Sequence, residues 1–394
     1  MNKKTKLILI GLGVYFLTTG VTFGLFSKFG QASTIVTPVV NETDPAQQQA
    51  FQGPKTEVCP INGVKYTKEQ RKIWEDRRPL LVMIENHEES RPQSGLSRAD
   101  VVYEAVAEGG ITRLMGVYYC EATEPYQREY DLGPVRSART YFLDWASEYG
   151  DYPLYVHVGG AHCSLEGGRC TTDPRAQALE QIGQYGWLDQ RNDMNQFALS
   201  YQQCRREPER TGVAKATEHT MYCDTTNLWE EAKDRGLTEG WEEDFVSWEF
   251  KDEAKPDQRG NVDELSFDFW EGYSAYQVTW QYSQESNSYR RYNGGEVHEE
   301  FLTGDQVESK VVVVQFAEEI GPVDKHKHLV YETIGSGDAL IFQDGEVIEG
   351  SWQKDSRQNR TIFYDDAGGE VKFNRGQIWI EVLPLGNQVD YEAS

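Results

Sequence analysis

Short continuous apolar runs alternate with longer segments of helical spacing through residues 57–250. The runs predict strands, because buried strands are apolar on both faces; they cover residues 80–84, 101–107, 111–119 and 154–158. Apolar residues at helical spacing follow positions 133 and 173 and predict two helices. This alternation is typical of an α+β or mixed α/β domain with a mixed sheet.

The pattern changes in the second half, where apolar runs are short and turn residues separate them. Residues 251–264 contain almost no apolar side chains and predict a linker. The remaining residues, 265–394, predict a β-rich second domain. Its strand candidates are residues 275–282, 288–292, 310–316, 329–333, 339–342, 361–364 and 377–382.

A hairpin is predicted around Gly109 and Gly110, which separate two of the strand-like runs. A two-residue turn would place Glu104, Glu108 and Arg113 on one face of the sheet. Two carboxylates beside an arginine can perform acid/base chemistry. The alternative is a ladder of surface ion pairs, which contributes little to stability or function.

Residues 133–139 predict a helix start that carries Arg136 and Arg139. The helix macrodipole disfavours cations at this end, so an anionic group is expected opposite them. If the helix packs across the hairpin, the arginines approach Glu104 and Glu108. The result is either a polar pocket or a buried structural network.

Two histidines lie at strand ends, where ligands of α/β sheets commonly bind. His157 precedes Gly159 and Gly160, and His87 follows Asn86 at the end of an earlier strand. A neutral imidazole there can act as a general base, although a packed strand histidine explains the pattern equally well. The candidate catalytic residues are Glu104, Glu108 and His157. The candidate ligand-binding residues are Arg113, Arg136, Arg139, His87, Asn86, Gly159 and Gly160.

The N-terminus combines three lysines with an uncharged apolar run over residues 7–26. A run of this length predicts a signal anchor, a single transmembrane helix within residues 1–30. Residues 31–56 predict a flexible tether. The lysines place the N-terminus in the cytoplasm and the bulk of the chain outside the cell membrane.

The net charge of the 394-residue chain is −25 at pH 7. Nucleic-acid binding needs a basic surface, so this acidity excludes that class of partner. A local group of arginines can still hold one small anion. The sequence does not indicate the oligomeric state, and we predict no cofactor and no metal.

All six cysteines lie in the part predicted to be exported, where disulfides are the default. Six cysteines allow fifteen pairings. The short loops favour Cys163–Cys170 and Cys204–Cys223, which leaves Cys59–Cys120 by elimination. The alternative is a metal site at His162, Cys163 and Cys170, but it lacks a paired CxxC spacing.

Many segments, in order along residues 75–385, resemble the YerB-like lipoproteins of bacteria, which contain the N- and C-terminal domains of unknown function 3048. The resemblance implies an extracytoplasmic, membrane-tethered protein with two parts, and it implies no activity. This chain lacks the cysteine of a lipobox, and its six cysteines are an addition. The similar segments are residues 78–87, 91–96, 99–105, 108–113, 133–139, 155–160, 335–337, 345–352 and 376–380.

Three functions fit these patterns. The first is binding of an anionic cell-envelope component, a glycan, peptide or phosphate group, through the arginine–carboxylate pocket. The second is a cell-envelope hydrolase or transferase that uses Glu104, Glu108 or His157 as acid/base groups. The third is a structural role, in which the charged cluster only stabilises the fold.

Overall fold

The protein is described here by a computed structural model. The structure describes residues 53–123, 130–238, 241 and 245–393. Its centre is a ten-stranded mixed sheet, and each half of the chain contributes five of the strands.

The first half of the chain supplies one side of this sheet. Its strands lie in the order β5-β4-β1-β3-β2, with β1 parallel to β4 and antiparallel to β3. Every residue of β1 is buried, which explains its continuous apolar run. The mixed sheet predicted for this region is confirmed. The strands are Leu80–Glu85 (β1), Val101–Glu108 (β2), Ile111–Tyr118 (β3), Leu154–His157 (β4) and Asp193–Asn195 (β5).

The second half is β-rich, as predicted, and contributes to two sheets. Its strands are Val262–Phe267 (β6), Val278–Ser283 (β7), Ser288–Asn293 (β8), Glu296–Val297 (β9), Glu308–Ser309 (β10), Val311–Ala317 (β11), Gly335–Gln343 (β12), Glu346–Lys354 (β13), Ile362–Asp365 (β14), Ile378–Pro384 (β15) and Asp390–Ala393 (β16). The central sheet continues as β15-β11-β12-β13-β14, and a second sheet has the order β9-β8-β7-β6-β16 with β10 beside β8.

Shorter elements surround the two sheets. The helices are Lys68–Trp74 (α1), Thr140–Ala146 (α2), Ala178–Gln184 (α3) and Thr225–Asp234 (α4). The short strands are Glu57–Val58, Lys65–Tyr66, Asp131–Leu132, Leu165–Glu166, Arg169–Cys170, Cys204–Arg206, Met221–Asp224, Phe250–Lys251, Glu319–Ile320, Val330–Tyr331 and Phe373–Asn374.

The two halves of the central sheet meet where β2 pairs with β15 in parallel. In this register Glu104 lies opposite Glu381. The strand β13 was not predicted, because its polar side chains hide the strand pattern, and β12 begins at Gly335, four residues before the predicted strand of residues 339–342. Part of the predicted linker, from Val262, lies in β6.

The helix predicted from residue 133 begins later, at Thr140, with Arg139 as its N-cap. Residues before it are extended, since their backbone groups bond to the ends of neighbouring strands. The Arg136 N–H donates to the Met83 carbonyl at 2.8 Å, and the Val158 N–H donates to the Arg136 carbonyl at 3.0 Å. The prediction that Arg136 and Arg139 lie inside the first helical turns is therefore wrong.

The predicted hairpin forms, but a β-bulge changes its faces. Glu108 pairs with Ile111 as expected, and the register then shifts between Val106 and Glu108. Arg113 consequently pairs with Ala105 rather than Val106. Adjacent strand positions point to opposite faces, so Glu104 and Arg113 lie on opposite sides of the sheet. The prediction that Glu104, Glu108 and Arg113 share one face of the sheet is therefore wrong, because the bulge shifts the register of Glu104 relative to Arg113.

The three predicted disulfides are confirmed: Cys59–Cys120, Cys163–Cys170 and Cys204–Cys223. The pairing of Cys163 with Cys170 contradicts the alternative metal site with His162, because bonded sulfurs are not thiolate ligands.

No helix in the described part of the chain is long and apolar enough to cross a membrane. The predicted signal anchor, residues 1–30, lies outside the described residues, as does most of the predicted tether.

Candidate functional site

The predicted group of charged residues is divided between separate places in the structure. Glu104 is completely buried. Its carboxylate accepts hydrogen bonds from Asn86 Nδ2 at 3.0 Å, Thr112 Oγ1 at 2.6 Å and Arg291 Nη2 at 2.5 Å. Asn86 is thus a structural hydrogen-bond donor inside the protein, and Glu104 does not contact the predicted arginines.

Glu104 belongs to an interior charge cluster, which we define as Glu104, Arg291, His298 and Glu381. All four residues are at most 3% exposed. Burial and the neighbouring carboxylate of Glu104 raise the pKa of Glu381 to about 8. Burial, followed by the positive charge of Arg291, lowers the pKa of His298 well below its usual value. Both shifts favour the uncharged form of the group concerned, because burial disfavours charge.

The hydrogen bonds of the interior charge cluster are directed inward. Arg291 Nη1 donates to His298 Nδ1 at 2.7 Å, and Trp280 Nε1 donates to Glu381 at 3.0 Å. The guanidinium also lies over the Trp379 ring, 4.8 Å from its centroid. This arrangement stabilises the junction between the two sheets and encloses the ion pair of Arg291 and Glu104, while His298 also lines a second pocket of about 320 Å³.

Sequence reasoning missed Arg291, His298 and Glu381. One signal was available, because Glu381 is the only charged residue in the otherwise apolar stretch of residues 378–383. A charge within a buried strand needs a buried partner. Nothing local to the stretch identifies that partner.

On the opposite face of the hairpin, Glu108 forms ion pairs with Arg139 and Arg113. Burial raises the pKa of Glu108, but the two guanidinium groups outweigh burial and lower it overall. Burial and the nearby Arg139 lower the pKa of Arg113 to about 10. The structure thus brings three predicted residues together, with the two arginines sharing the glutamate.

A third group, the strand-end cluster, lies beyond the carboxyl end of β1 and consists of Glu85, His87, Glu89, Arg136 and His219. Glu85 is buried and lies 3.1 Å from Arg136 Nε and 2.8 Å from His219 Nδ1. The His87 and His219 rings stack, with centroids 4.8 Å apart. Glu89 Oε2 lies 3.5 Å from His219 Nε2. Two residues predicted from sequence, His87 and Arg136, meet here.

His157 is fully buried at the end of β4. Its Nε2 lies 2.7 Å from Asp193 Oδ1, and its Nδ1 lies 2.6 Å from the Gly159 carbonyl oxygen. Gly159 has φ of +58°, and a Cβ on Gly160 would lie 2.9 Å from Leu179. The glycines permit this turn and close packing, and His157 links β4 to β5.

A pocket of about 410 Å³ opens at the junction of the two halves of the chain. We call it the interface pocket and define it by Arg78, Glu148, Asp151, Trp241 and Arg360, which line it together with neighbouring residues. Its volume falls within the range of small-molecule sites, about 300–1,000 Å³, and such sites favour junctions of this kind.

Cations surround the inner wall of the interface pocket. Glu148 accepts from Lys354 Nζ at 2.9 Å and lies 3.3 Å from Arg360 Nη1. The Arg360 guanidinium also packs on the Trp248 ring, 3.6 Å from its centroid. Arg357 donates to Ser147, another residue of the pocket wall, at 2.5 Å. None of these cations was a sequence candidate: they lie close together at residues 354–360, but their pocket partners Arg78 and Glu148 are remote in sequence.

Comparison with known proteins identifies the family to which the chain belongs. The model of the DUF3048 N-terminal domain, a protein family of unknown function, matches residues 63–238, and that of the DUF3048 C-terminal domain matches residues 267–380. The chain therefore belongs to this two-domain family, and the resemblance seen in the sequence is confirmed.

A curated relative is "Putative lipoprotein YerB" of Bacillus subtilis (strain 168). It is 28% identical over 330 residues, which cover 83% of this chain and 86% of the relative. The crystal structure of the YerB protein from Bacillus subtilis matches with a TM-score of 0.65 and 24% identity, covering 85% of this chain and 99% of that chain. The structural match shows a shared fold.

Proposed function

We propose that this protein is a membrane-anchored extracytoplasmic binding protein, and that its ligand is an anionic group of the cell envelope. The interface pocket holds that group, a phosphate or a carboxylate. The observation that carries the proposal is a pocket of about 410 Å³ that is lined by two arginines, Arg78 and Arg360, in a strongly acidic protein.

The charges at the interface pocket support an anion. Arg78 and Arg360 line it, whereas Lys354 and Arg357 contact its wall. Among the lining residues, Glu148 and Asp151 accompany the two arginines, and Lys354 and Arg357 add two cations behind the wall. Arginines at a cleft attract anionic ligands locally, even where the net charge of the chain is −25.

The location outside the cell membrane rests on sequence and on the relative. The apolar run of residues 7–26 is long enough for a transmembrane helix, and the B. subtilis relative is named a lipoprotein. Without a lipobox cysteine, the apolar run itself serves as the anchor in this proposal.

The arginines predicted from the sequence to bind the ligand are less suited to an anion than those of the interface pocket. Arg113 and Arg139 share Glu108, and Arg136 is paired with Glu85. An incoming anion would have to displace these carboxylates; at the pocket this applies to Arg360, which is paired with Glu148, whereas Arg78 donates to the neutral Tyr152 carbonyl. The candidates of the hydrolase alternative are held by other groups, because Glu104 and His157 are buried and hydrogen-bonded and Glu108 is paired with Arg139 and Arg113.

The experiment compares two small anions, glycerol 3-phosphate and N-acetylmuramic acid, by titration calorimetry on the full chain in detergent. We expect binding of at least one of them. Arg78→Gln should weaken binding roughly tenfold or more, because a hydrogen bond to a charged group contributes about 1.5–3 kcal/mol.

Arg175→Gln is the matched control, since it removes the same charge at an exposed side chain that does not line the pocket. It should leave the affinity unchanged. The proposal fails if neither anion binds, or if the two variants bind equally well. Preference between the two anions distinguishes a phosphate from a carboxylate ligand.

A further inference from the structure

We propose that the strand-end cluster is a zinc site in which His87, Glu89 and His219 are the ligands. One potential ligand atom from each residue lies within 4.8 Å of the other two. The site is separate from the interface pocket and does not depend on the function proposed for it.

His219 is already oriented as a metal ligand. Its Nδ1 lies 2.8 Å from Glu85 Oε2, and Glu85 is also paired with Arg136. An ionised carboxylate can only accept a hydrogen bond, so this contact is made by the Nδ1–H group, and in the tautomer with a proton on Nδ1 alone Nε2 presents its lone pair to a metal. Metal-bound histidines typically donate their second ring nitrogen to a carboxylate in this way.

The second imidazole lies against the first. The His87 and His219 rings are nearly parallel, with an angle of 19° between their planes. Nδ1 of His87 accepts the Glu89 backbone N–H at 3.2 Å. Metal binding exchanges this long hydrogen bond for a metal–nitrogen bond, either directly at Nδ1 or by a change of tautomer at Nε2.

The third ligand has the freedom to complete the site. Glu89 is 64% exposed, and its Oε2 already lies 3.5 Å from His219 Nε2. Zinc bonds of about 2.0–2.2 Å require the three atoms to approach one another by roughly 1 Å. Glu89 Oε2 and His219 Nε2 already have the spacing of two ligands of one zinc ion, so the movement falls to half-buried His87. Its ring has to turn out of the parallel stack, because a metal lies in the plane of each imidazole that binds it, while buried Glu85 keeps His219 in place.

The composition of the set indicates the ion. Two imidazoles and one carboxylate match a ligand set of zinc enzymes, and three protein ligands leave a fourth position for water or an anion. The charges of the neighbouring side chains also suit a bound cation. Arg136 balances Glu85, so Glu89 contributes a negative charge towards the cation.

The test measures zinc bound to the full chain in detergent, after treatment with a chelator and titration with ZnCl₂ alone. We expect one zinc per chain, bound with nitrogen and oxygen ligands in the X-ray absorption spectrum. His87→Ala and His219→Ala should each reduce the affinity by more than the roughly 10- to 100-fold typical of outer-shell changes. Glu85→Gln, a change at a positioning residue, should fall within that 10- to 100-fold range.

His162→Ala is the matched control, because His162 is an exposed histidine outside the cluster. It should bind zinc like the unmodified protein. Zinc should raise the melting temperature of the unmodified protein and of His162→Ala, but not of His87→Ala; this also shows that the variants fold. Substoichiometric zinc in the unmodified protein, or equal affinity in His87→Ala, would overturn the proposal.

Discussion

The interior charge cluster and the interface pocket both combine buried glutamate with arginine, yet their ion pairs differ in access to a cavity. Arg291 and Glu104 are completely buried and form an ion pair. Arg360 and Glu148 are also buried, but they form the wall of a cavity of about 410 Å³. Buried charge therefore does not by itself mark a binding site, because a closed cluster satisfies its groups internally.

Access to a cavity separates the two regions further. In the interior charge cluster, burial and the carboxylate of Glu104 raise the pKa of Glu381. The interface pocket is lined by Arg78 and Arg360 together with Glu148 and Asp151, so its charged groups face a space that a ligand can enter. Desolvated charges are costly unless they are paired, so charged groups that face a cavity are more informative about function than an enclosed ion pair.

The largest expected effect is from Arg291→Met in the interior charge cluster. The change leaves Glu104 buried without its cation, and breaking such a pair costs about 3–5 kcal/mol. Urea unfolding should show a loss of that size. Arg290→Met is the matched control on the same strand; Arg290 is 46% exposed, and its pair with Glu308 should contribute less than about 1 kcal/mol. Equal losses would contradict the distinction between buried and exposed pairs.

A smaller effect on the free energy of unfolding is expected from a change in pH. Glu381 keeps its proton in the folded protein up to about pH 8, whereas the ordinary pKa is 4.5. As the pH rises between these values, the unfolded chain releases the proton first, so the contribution of Glu381 to stability is lost. Glu381→Gln cannot titrate and should show a shallower decline in the free energy of unfolding between about pH 5 and pH 8.

Glu308→Gln provides the comparison for this pH series, because Glu308 is partly exposed and should leave the decline unchanged. An identical pH dependence for Glu381→Gln and the unmodified protein would show that Glu381 is ionised in the folded state. The closed cluster would then carry an uncompensated charge, and the comparison with the interface pocket would lose its basis.

The smallest expected effect on stability is from Arg78→Gln in the interface pocket. Arg78 is half-buried and donates to the Tyr152 carbonyl at 3.0 Å. Replacing it should cost about 1 kcal/mol, the net contribution of one hydrogen bond. The same variant should lose anion binding. A variant that binds normally but unfolds easily would place Arg78 with the structural arginines.

Local patterns predicted much of the fold. The continuous apolar run at residues 80–84 identified β1 because a strand buried on both faces needs no polar side chain. The turn at Gly109 and Gly110 identified the hairpin. The bulge beside Ala107 could not be seen, since one extra residue changes the pairing without changing the apolar pattern.

The candidate site was less predictable. Arg136 and His87 were singled out, and the structure places both in the strand-end cluster, but their partner His219 is remote in sequence. The arginines of the interface pocket were not candidates at all. Three of the cations, Lys354, Arg357 and Arg360, lie in one short segment, but a pocket wall also needs residues from other segments, here Arg78 and residues 147–152, and no local pattern brings these together.

The sequence by itself determined the strand-rich character of both halves, the hairpin, the three disulfides and the membership of the family, because these depend on local pattern and on motifs in order. Only the tertiary structure decided the partners of the charged residues. Glu104 meets an arginine 187 positions away, and its face of the sheet depends on a bulge and on the parallel pairing of β2 with β15. The energy of a buried charge depends on such distant partners, and for that reason the composition of a segment does not reveal its role.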